Sequence, residues 1–307
     1  PASMFFEQVP AGVTNGKEAI DYLKSIYVGK IGFEYGHVTN KEEKAWIKAQ
    51  VEGGAVQTKL SADEKKAVLE RLTRIEGFEK FIHKTFVGQK RFSGEGLDTQ
   101  VILFDEILKA AETAKVENVR IGMAHRGRLN VLTHVLNKPY AMMFADFAHV
   151  TNDYFLPEDG RLSITKGWTG DVKYHMGASY NRESGMNVSL AYNPSHLEVG
   201  APVVMGQTRA AQDNRAKAGA VDFDALKALG IIVHGDAAFP GQGIVTETLN
   251  FAKTEGFSNG GTIHIIANNM IGFTTEHYDS RSSKYSSDAA KGYEVPVVHV
   301  NADSPED

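Results

Sequence analysis

The chain has 307 residues, 42% of them hydrophobic and 23% charged, a globular composition that excludes wholesale disorder. A formal net charge of -5 leaves no cationic excess to neutralise a phosphate backbone, so nucleic acid is not an expected partner. Cysteine is absent, which removes disulfides, thiolate metal sites and cysteine nucleophiles, and no apolar run approaches the roughly 20 residues of a membrane span. A cytoplasmic location fits, since the first residues also lack a basic stretch followed by an apolar core. The chain starts without Met and stops at Asn301–Asp307 directly after a strand-like run, which predicts a piece of a longer protein.

In chain order, residues up to about 52 lean towards helix, with Lys41 to Val51 the clearest, and Gly53-Gly54 reads as a break. Ser61 and Glu64 form a capping box ahead of apolar Val68, Leu69, Leu72 and Ile75, which predicts a long amphipathic helix. Beyond the turn-rich Arg91–Gly96, a helix is predicted from Asp98 to about Val116 and a strand from Asn118 to Ala124. Helices then follow over Arg126 to Asn137 and Pro139 to Val150. Met186 to Tyr192 reads as a strand, and Ser195 with Glu198 as a second capping box before a helix into the 210s. Strands at Leu229 to Val233, Thr262 to Ala267 and Val295 to Val300, with a helix over about Gln242 to Glu255, complete the series. Strands separated by helical stretches predict an α/β fold: a doubly wound, mainly parallel sheet with right-handed crossovers. The division expected is a helix-rich segment over residues 1–57 and an α/β domain over 58–307.

In such sheets ligands bind beyond the carboxyl ends of the strands. Four predicted strands end there in polar residues: His125-Arg126-Gly127-Arg128, Asn193-Pro194-Ser195-His196, His234-Gly235-Asp236 and Asn268-Asn269. Taken singly, each corner is most simply a helix cap or a satisfied histidine. Four at one edge point to a site. Phe239–Gly243 is not a dinucleotide fingerprint, because Thr246 stands where its third glycine belongs. A Walker-type loop and His-Glu-x-x-His zinc spacing are both absent. Asp236 and Asn269 form the most specific pair. They end strands joined by one helix, and one carboxylate, one amide oxygen and a backbone carbonyl suit a Mg²⁺ that keeps its other positions for water and phosphate oxygens.

Gly235-Asp236-Ala237, thirty residues, then Asn268-Asn269 resembles the motif of thiamine diphosphate enzymes, and Gly-Asp-Ala-Ala-Phe is the form of the 2-oxoglutarate dehydrogenase subfamily. The resemblance runs along nearly the whole chain. It is carried by Ile31–Tyr35, Lys90–Ser93, Gly122–Val131, Val172–Gly177, Asn193–Glu198 and Asn268–Thr275. It implies that the Asp236 and Asn269 side chains and the Ile271 carbonyl bind Mg²⁺, which holds thiamine diphosphate, with Gly235, Ala237, Ser195 and His196 beside the cofactor. It further implies that His125 and His175 are active-site histidines and that Ser179 contacts substrate. Histidine suits such a site because small shifts move its charge across neutral pH, and the protonated form can hold a carboxylate.

The activity implied is decarboxylation of 2-oxoglutarate in the tricarboxylic acid cycle. The succinyl group passes to a lipoyl domain of the dihydrolipoyl succinyltransferase. In the family a glutamate that activates the cofactor lies on a further C-terminal domain, and the active site is shared across a homodimer. A 2-oxoadipate paralogue differs by one methylene, worth only about 1–3 kcal/mol in a pocket. It therefore stands as an alternative, beside a carboligase and a cofactor-binding or assembly fragment without activity of its own.

Overall fold

The computed structural model describes residues 1–6, 9–54, 59–94, 96–149, 159–163, 172–216 and 218–307. In chain order these form α1 (Gly16–Tyr27), β1 (Gly32–Glu34), α2 (Lys41–Glu52), α3 (Ala62–Thr85), α4 (Thr99–Thr113), β2 (Asn118–Met123) and α5 (Arg128–Asn130). There follow α6 (Tyr140–Ala148), β3 (Leu162–Ser163), β4 (Ala178–Asn181), β5 (Asn187–Leu190), α7 (Gly200–Gln212), β6 (Asp213–Asn214), β7 (Asp222–Phe223) and β8 (Ala228–Gly235). The remainder comprises α8 (Ala238–Gly241), α9 (Gly243–Asn250), β9 (Thr262–Ala267), β10 (Ile271–Gly272), β11 (Thr275–Glu276), α10 (His277–Ser280), α11 (Asp288–Lys291) and β12 (Val297–His299).

Two compact units result: residues 1–69 with 290–307, and residues 70–289. This grouping is not the contiguous 1–57 and 58–307 expected from sequence. The reason is β12, which pairs antiparallel with β1 in the register Gly32↔His299, Phe33↔Val298, Glu34↔Val297. The predicted strand Val295–Val300 therefore belongs to a two-stranded ribbon and not to the main sheet. Glu34 fixes it by accepting from His299 Nε2 at 2.6 Å and pairing with Lys291. Burial, the largest single influence, raises the Glu34 carboxyl, and the hydrogen bonds from Lys291 and His299 together outweigh it and hold the group below its ordinary range.

Residues 70–289 contain a six-stranded sheet in the order β3-β4-β5-β2-β8-β9. The pairs β5–β2, β2–β8 and β8–β9 are parallel, whereas β3–β4 and β4–β5 are antiparallel. The sheet is thus mainly parallel, with an antiparallel edge. Alternation along β8 sends Ile231 and Val233 into the larger core with Ile75, Phe78, Phe104, Leu108 and Leu132, and Ile232 into a smaller one with Ala201, Val204 and Met205 of α7. Both faces are covered, as a doubly wound sheet requires.

The Ser61 capping box is present: Ser61 N donates to Glu64 Oε2 at 2.7 Å and Glu64 N to Ser61 Oγ at 3.3 Å. The predicted helix from Arg126 is only partly right, because α5 passes into a π-helical turn at Val131–Val135. Apolar side chains are buried on every side of that turn, and Asn130 Oδ1 and Tyr140 Oη take the two ring nitrogens of His134. The second capping box, Ser195 with Glu198, does not form. Glu198 is buried at φ 70°, its carboxylate drawn to His234 Nδ1, and α7 starts only at Gly200.

Candidate active site

The carboxyl ends of β5, β2, β8 and β9 lie side by side, so Asn193, His125, Asp236 and Asn269 follow one another along a single edge. The register Gly235↔Ala267 sets Asp236 and Asn269 just past the last paired residues of neighbouring strands. Asp236 is 1% exposed, and its Oδ2 accepts from Arg281 Nη1 at 3.4 Å.

The Asn269 carboxamide finds protein partners in one of its two orientations and not in the other. In the unsatisfied one, Oδ1 lies 3.0 Å from both Asp236 Oδ1 and the Ile271 carbonyl oxygen and the nitrogen lies 3.1 Å from Arg126 Nε, donor against donor; in the reverse, the nitrogen donates to both oxygens and Oδ1 accepts from Arg126 Nε. The first orientation leaves three oxygens converging with no proton between them, an arrangement that a cation stabilises. Two oxygens bound side by side to Mg²⁺ in an octahedron of ~2.0–2.1 Å bonds lie about 2.9 Å apart, so this donor set fits. No cluster of three His, Cys, Asp or Glu side chains suited to a metal occurs among the described residues. A β-carbon at Gly272 would stand 2.5 Å from the Ala237 methyl, so only glycine lets the Ile271 loop approach the Asp236 turn this closely.

The neighbouring corner is built differently. After β2, Gly127 at φ 77° turns the chain into α5, and its N–H donates to the Phe92 carbonyl at 2.9 Å. The His125 ring packs among Phe92, Tyr174 and His175, with centroids at 5.1, 5.4 and 5.0 Å. Burial first, then the nearby His175 and Arg128, lowers its pKa, so the neutral imidazole is the dominant form at neutral pH. That differs from the protonated histidine expected to hold a carboxylate.

Beneath it Arg128, 0% exposed, donates to the Met176 and Ala191 carbonyls at 2.8 Å each, to Ala124 O at 3.4 Å and to Met123 O at 2.5 Å. Burial lowers its pKa to about 9, which still leaves it charged at neutral pH. These bonds tie together the chain ends that carry His125, His175 and Asn193. The cleft above them is lined by Ala124, Arg128, Tyr192, Asn193, His196 and Glu198.

A match to the dehydrogenase E1 component family covers residues 95–307. The chain belongs to that family. It is 57% identical over 310 residues to the 2-oxoglutarate dehydrogenase E1 component of Geobacillus sp. (strain WCH70), and 54% identical over 312 residues to that of Bacillus subtilis (strain 168). Each alignment takes in 100% of this chain and 33% of the relative, so the chain spans about a third of the length of the curated relatives it matches.

In this dehydrogenase E1 component chain the structure gathers most of the sequence-predicted residues at one edge, and Ser179 stands apart. Its hydroxyl accepts from Asn187 Nδ2 at 2.9 Å, in a network with Asn118, Arg120 and Asn181. His175 is buried in a 3-10 turn before β4; Ser195 and His196 are exposed on the loop after β5. Arg281, Asn193 as a partner of His125, and Glu198 as a partner of His234 were missed. At a strand end Asn193 has the sequence signal of a helix cap, which hides its bond to His125. Nothing local marks Arg281, 45 residues from Asp236.

Proposed function

We propose that the full-length protein containing this chain is a thiamine diphosphate-dependent decarboxylating component acting on 2-oxoglutarate, and that this chain supplies the side of the site that holds the cofactor's diphosphate. The observation that carries the reading is the convergence of the Asp236 carboxylate, the Asn269 carboxamide and the Ile271 carbonyl beyond two adjacent parallel strands. These three would hold Mg²⁺. Gly235, Ala237, Ser195 and His196 would border the cofactor, and His125 and His175 the substrate. Ser179 would contact the substrate through its O–H, a donor that accepting from Asn187 leaves available. The cofactor, when bound, would supply the electron sink that loss of carbon dioxide from a 2-oxoacid requires.

The chain's own groups do the positioning. A neutral His125 donates a hydrogen bond to an anionic oxygen of the substrate, and Arg128 keeps the loops bearing both histidines in place, which is worth rate through preorganisation. Succinyl transfer to a lipoyl domain of the dihydrolipoyl succinyltransferase, and a homodimer in the cytoplasm, belong to the same proposal, whose substrate is the one that the names of the relatives, 2-oxoglutarate dehydrogenase E1 components, carry.

The test is calorimetric titration of the full-length protein with thiamine diphosphate, with and without Mg²⁺. Binding is expected to need the metal, and Asp236→Ala is expected to weaken it by more than about a hundredfold with the fold intact, since even outer partners of metal ligands are worth 10–100-fold. Undiminished affinity in the variant would overturn the assignment, and turnover compared on 2-oxoglutarate and 2-oxoadipate settles the substrate.

A further inference from the structure

The Asn193 side chain is 9% exposed by residue and lies between two groups: its Nδ2 is 2.8 Å from His125 Nδ1 and 3.2 Å from the Pro194 carbonyl oxygen. A carbonyl oxygen only accepts, so the amide atom facing it is the nitrogen. Reversing the amide would set oxygen against oxygen at Pro194. Towards His125 the reversal is neutral, since a protonated Nδ1 could donate to the oxygen instead, and the Oδ1 position has no hydrogen-bond partner among the described residues to favour it. The orientation is therefore fixed. An amide nitrogen has no lone pair to offer, so its second proton goes to His125 Nδ1, which must be the unprotonated ring nitrogen. The main chain of Asn193 reaches the other histidine, its N–H donating to the His175 carbonyl at 3.2 Å.

We infer that Asn193 is a positioning residue that locks His125 in the Nε2–H tautomer, so that the neutral ring presents Nε2 as a hydrogen-bond donor and not as a base. The titratable or charged groups around the ring, Tyr174, His175 and Arg128, leave this assignment unchanged, because none of them is bonded to Nδ1. The inference rests on the proposed function only for what His125 meets. The tautomer itself is independent of substrate and cofactor, so its test needs neither, and its failure is separable from failure of the proposed activity.

Diethyl pyrocarbonate acylates the unprotonated nitrogen of a neutral imidazole. Its rate at His125 can be followed peptide by peptide in the full-length protein, at a pH high enough to keep the ring neutral. In the wild type, Nδ1 is covered by Asn193 and Nε2 bears the proton, so His125 is expected to react slowly. Asn193→Asp supplies an acceptor, moves the proton to Nδ1 and frees the Nε2 lone pair, and a rise of at least tenfold is expected. Asn193→Leu releases the tautomer without imposing the reverse one, so its rate should fall between the two. A residue serving packing alone would give Asn193→Leu the larger effect. The inference is overturned if Asn193→Asp reacts no faster than wild type, or if Asn193→Leu equals or exceeds it. Should Asn193→Asp fail to fold, solid-state ¹⁵N spectra of histidine-labelled wild type, assigned against His125→Gln, read the tautomer directly. A protonated Nε2 supports the inference, and a protonated Nδ1 ends it.

Discussion

Asn193 and Asn269 are the same side chain at two corners of one sheet edge, and they behave as opposites. Asn193 is pinned because the Pro194 carbonyl and a buried setting allow its amide one orientation. Asn269 has protein partners for one orientation only, its nitrogen to Asp236 and Ile271 and its oxygen to Arg126, and a cation held by the three oxygens would favour the reverse. A fixed amide can dictate a neighbour's protonation. A reversible one can offer oxygen to a cation and nitrogen to a carboxylate. What an asparagine does here is set by whether its acceptor neighbours could share a cation with it, as Asp236 and the Ile271 carbonyl could with Asn269, and not by its place after a strand.

Four measurements break or sharpen this contrast. The largest effect is expected from Arg128→Met, which removes the donor to four carbonyls under the Asn193 corner and strands them in the core. A loss of ~3–5 kcal/mol is expected from denaturant titration, and a loss below about 1 kcal/mol would show that the corner is held by packing instead. Next, the same exchange to aspartate should have unlike outcomes at the two asparagines. Asn269→Asp keeps an oxygen towards the cation and should leave Mg²⁺-dependent thiamine diphosphate affinity within about tenfold of wild type, whereas Asn269→Leu should lose about a hundredfold or more. Equal losses in the two variants would count against a metal-facing oxygen at Asn269.

The third test moves the carbonyl ligand. Gly272→Ala drives a methyl into Ala237 and should cost ~1–3 kcal/mol of overpacking, seen as weaker cofactor binding; Ala237→Gly added to it should restore most of the affinity. If the double variant binds no better than the single one, the close approach of these two residues is not what places Ile271.

The smallest effect concerns acid. In the π-helical turn His134 is held down to about 4, chiefly by burial and then by Arg71 and Arg74; on β9, burial and His234 push His264 down to about 3. Both bind protons more readily when unfolded, where the pKa is about 6.5. Stability is therefore complete above that value and declines as pH falls from about 6.5 towards 4 and then 3. His134→Gln should flatten the upper part of that decline in thermal unfolding scans, and an unchanged slope would remove His134 as its source.

Much of this was readable in the chain. The Ser61 capping box, the alternation of helix and strand, and the placing of Asp236 and Asn269 at the ends of adjacent strands are written in local sequence, because caps and periodicity act over a few residues. Glu198 shows where that logic stops. Its spacing from Ser195 fits a capping box, yet a carboxylate placed against His234, 36 residues on, gains more from a buried partner than from an exposed cap. The Asn193 lock was hidden for a related reason, since it lies in a bond to a histidine 68 residues away and in the direction of one amide. The ribbon of β1 and β12 was missed because three-residue strands carry no usable alternation.

That ribbon bears on the order in which the chain matures during synthesis. Glu34 and His299 are partners separated by 265 residues, so β1 leaves the ribosome long before the strand that pairs with it has been made. At ~5–20 residues per second, the interval is tens of seconds. For that time the first segment waits as an unpaired strand edge while residues 70–289, whose contacts lie nearer in sequence, are free to condense. Closing so long a loop costs entropy that only later contacts offset. Agents that cap or shield exposed strand edges should therefore matter most early in translation, well before any chemistry is possible.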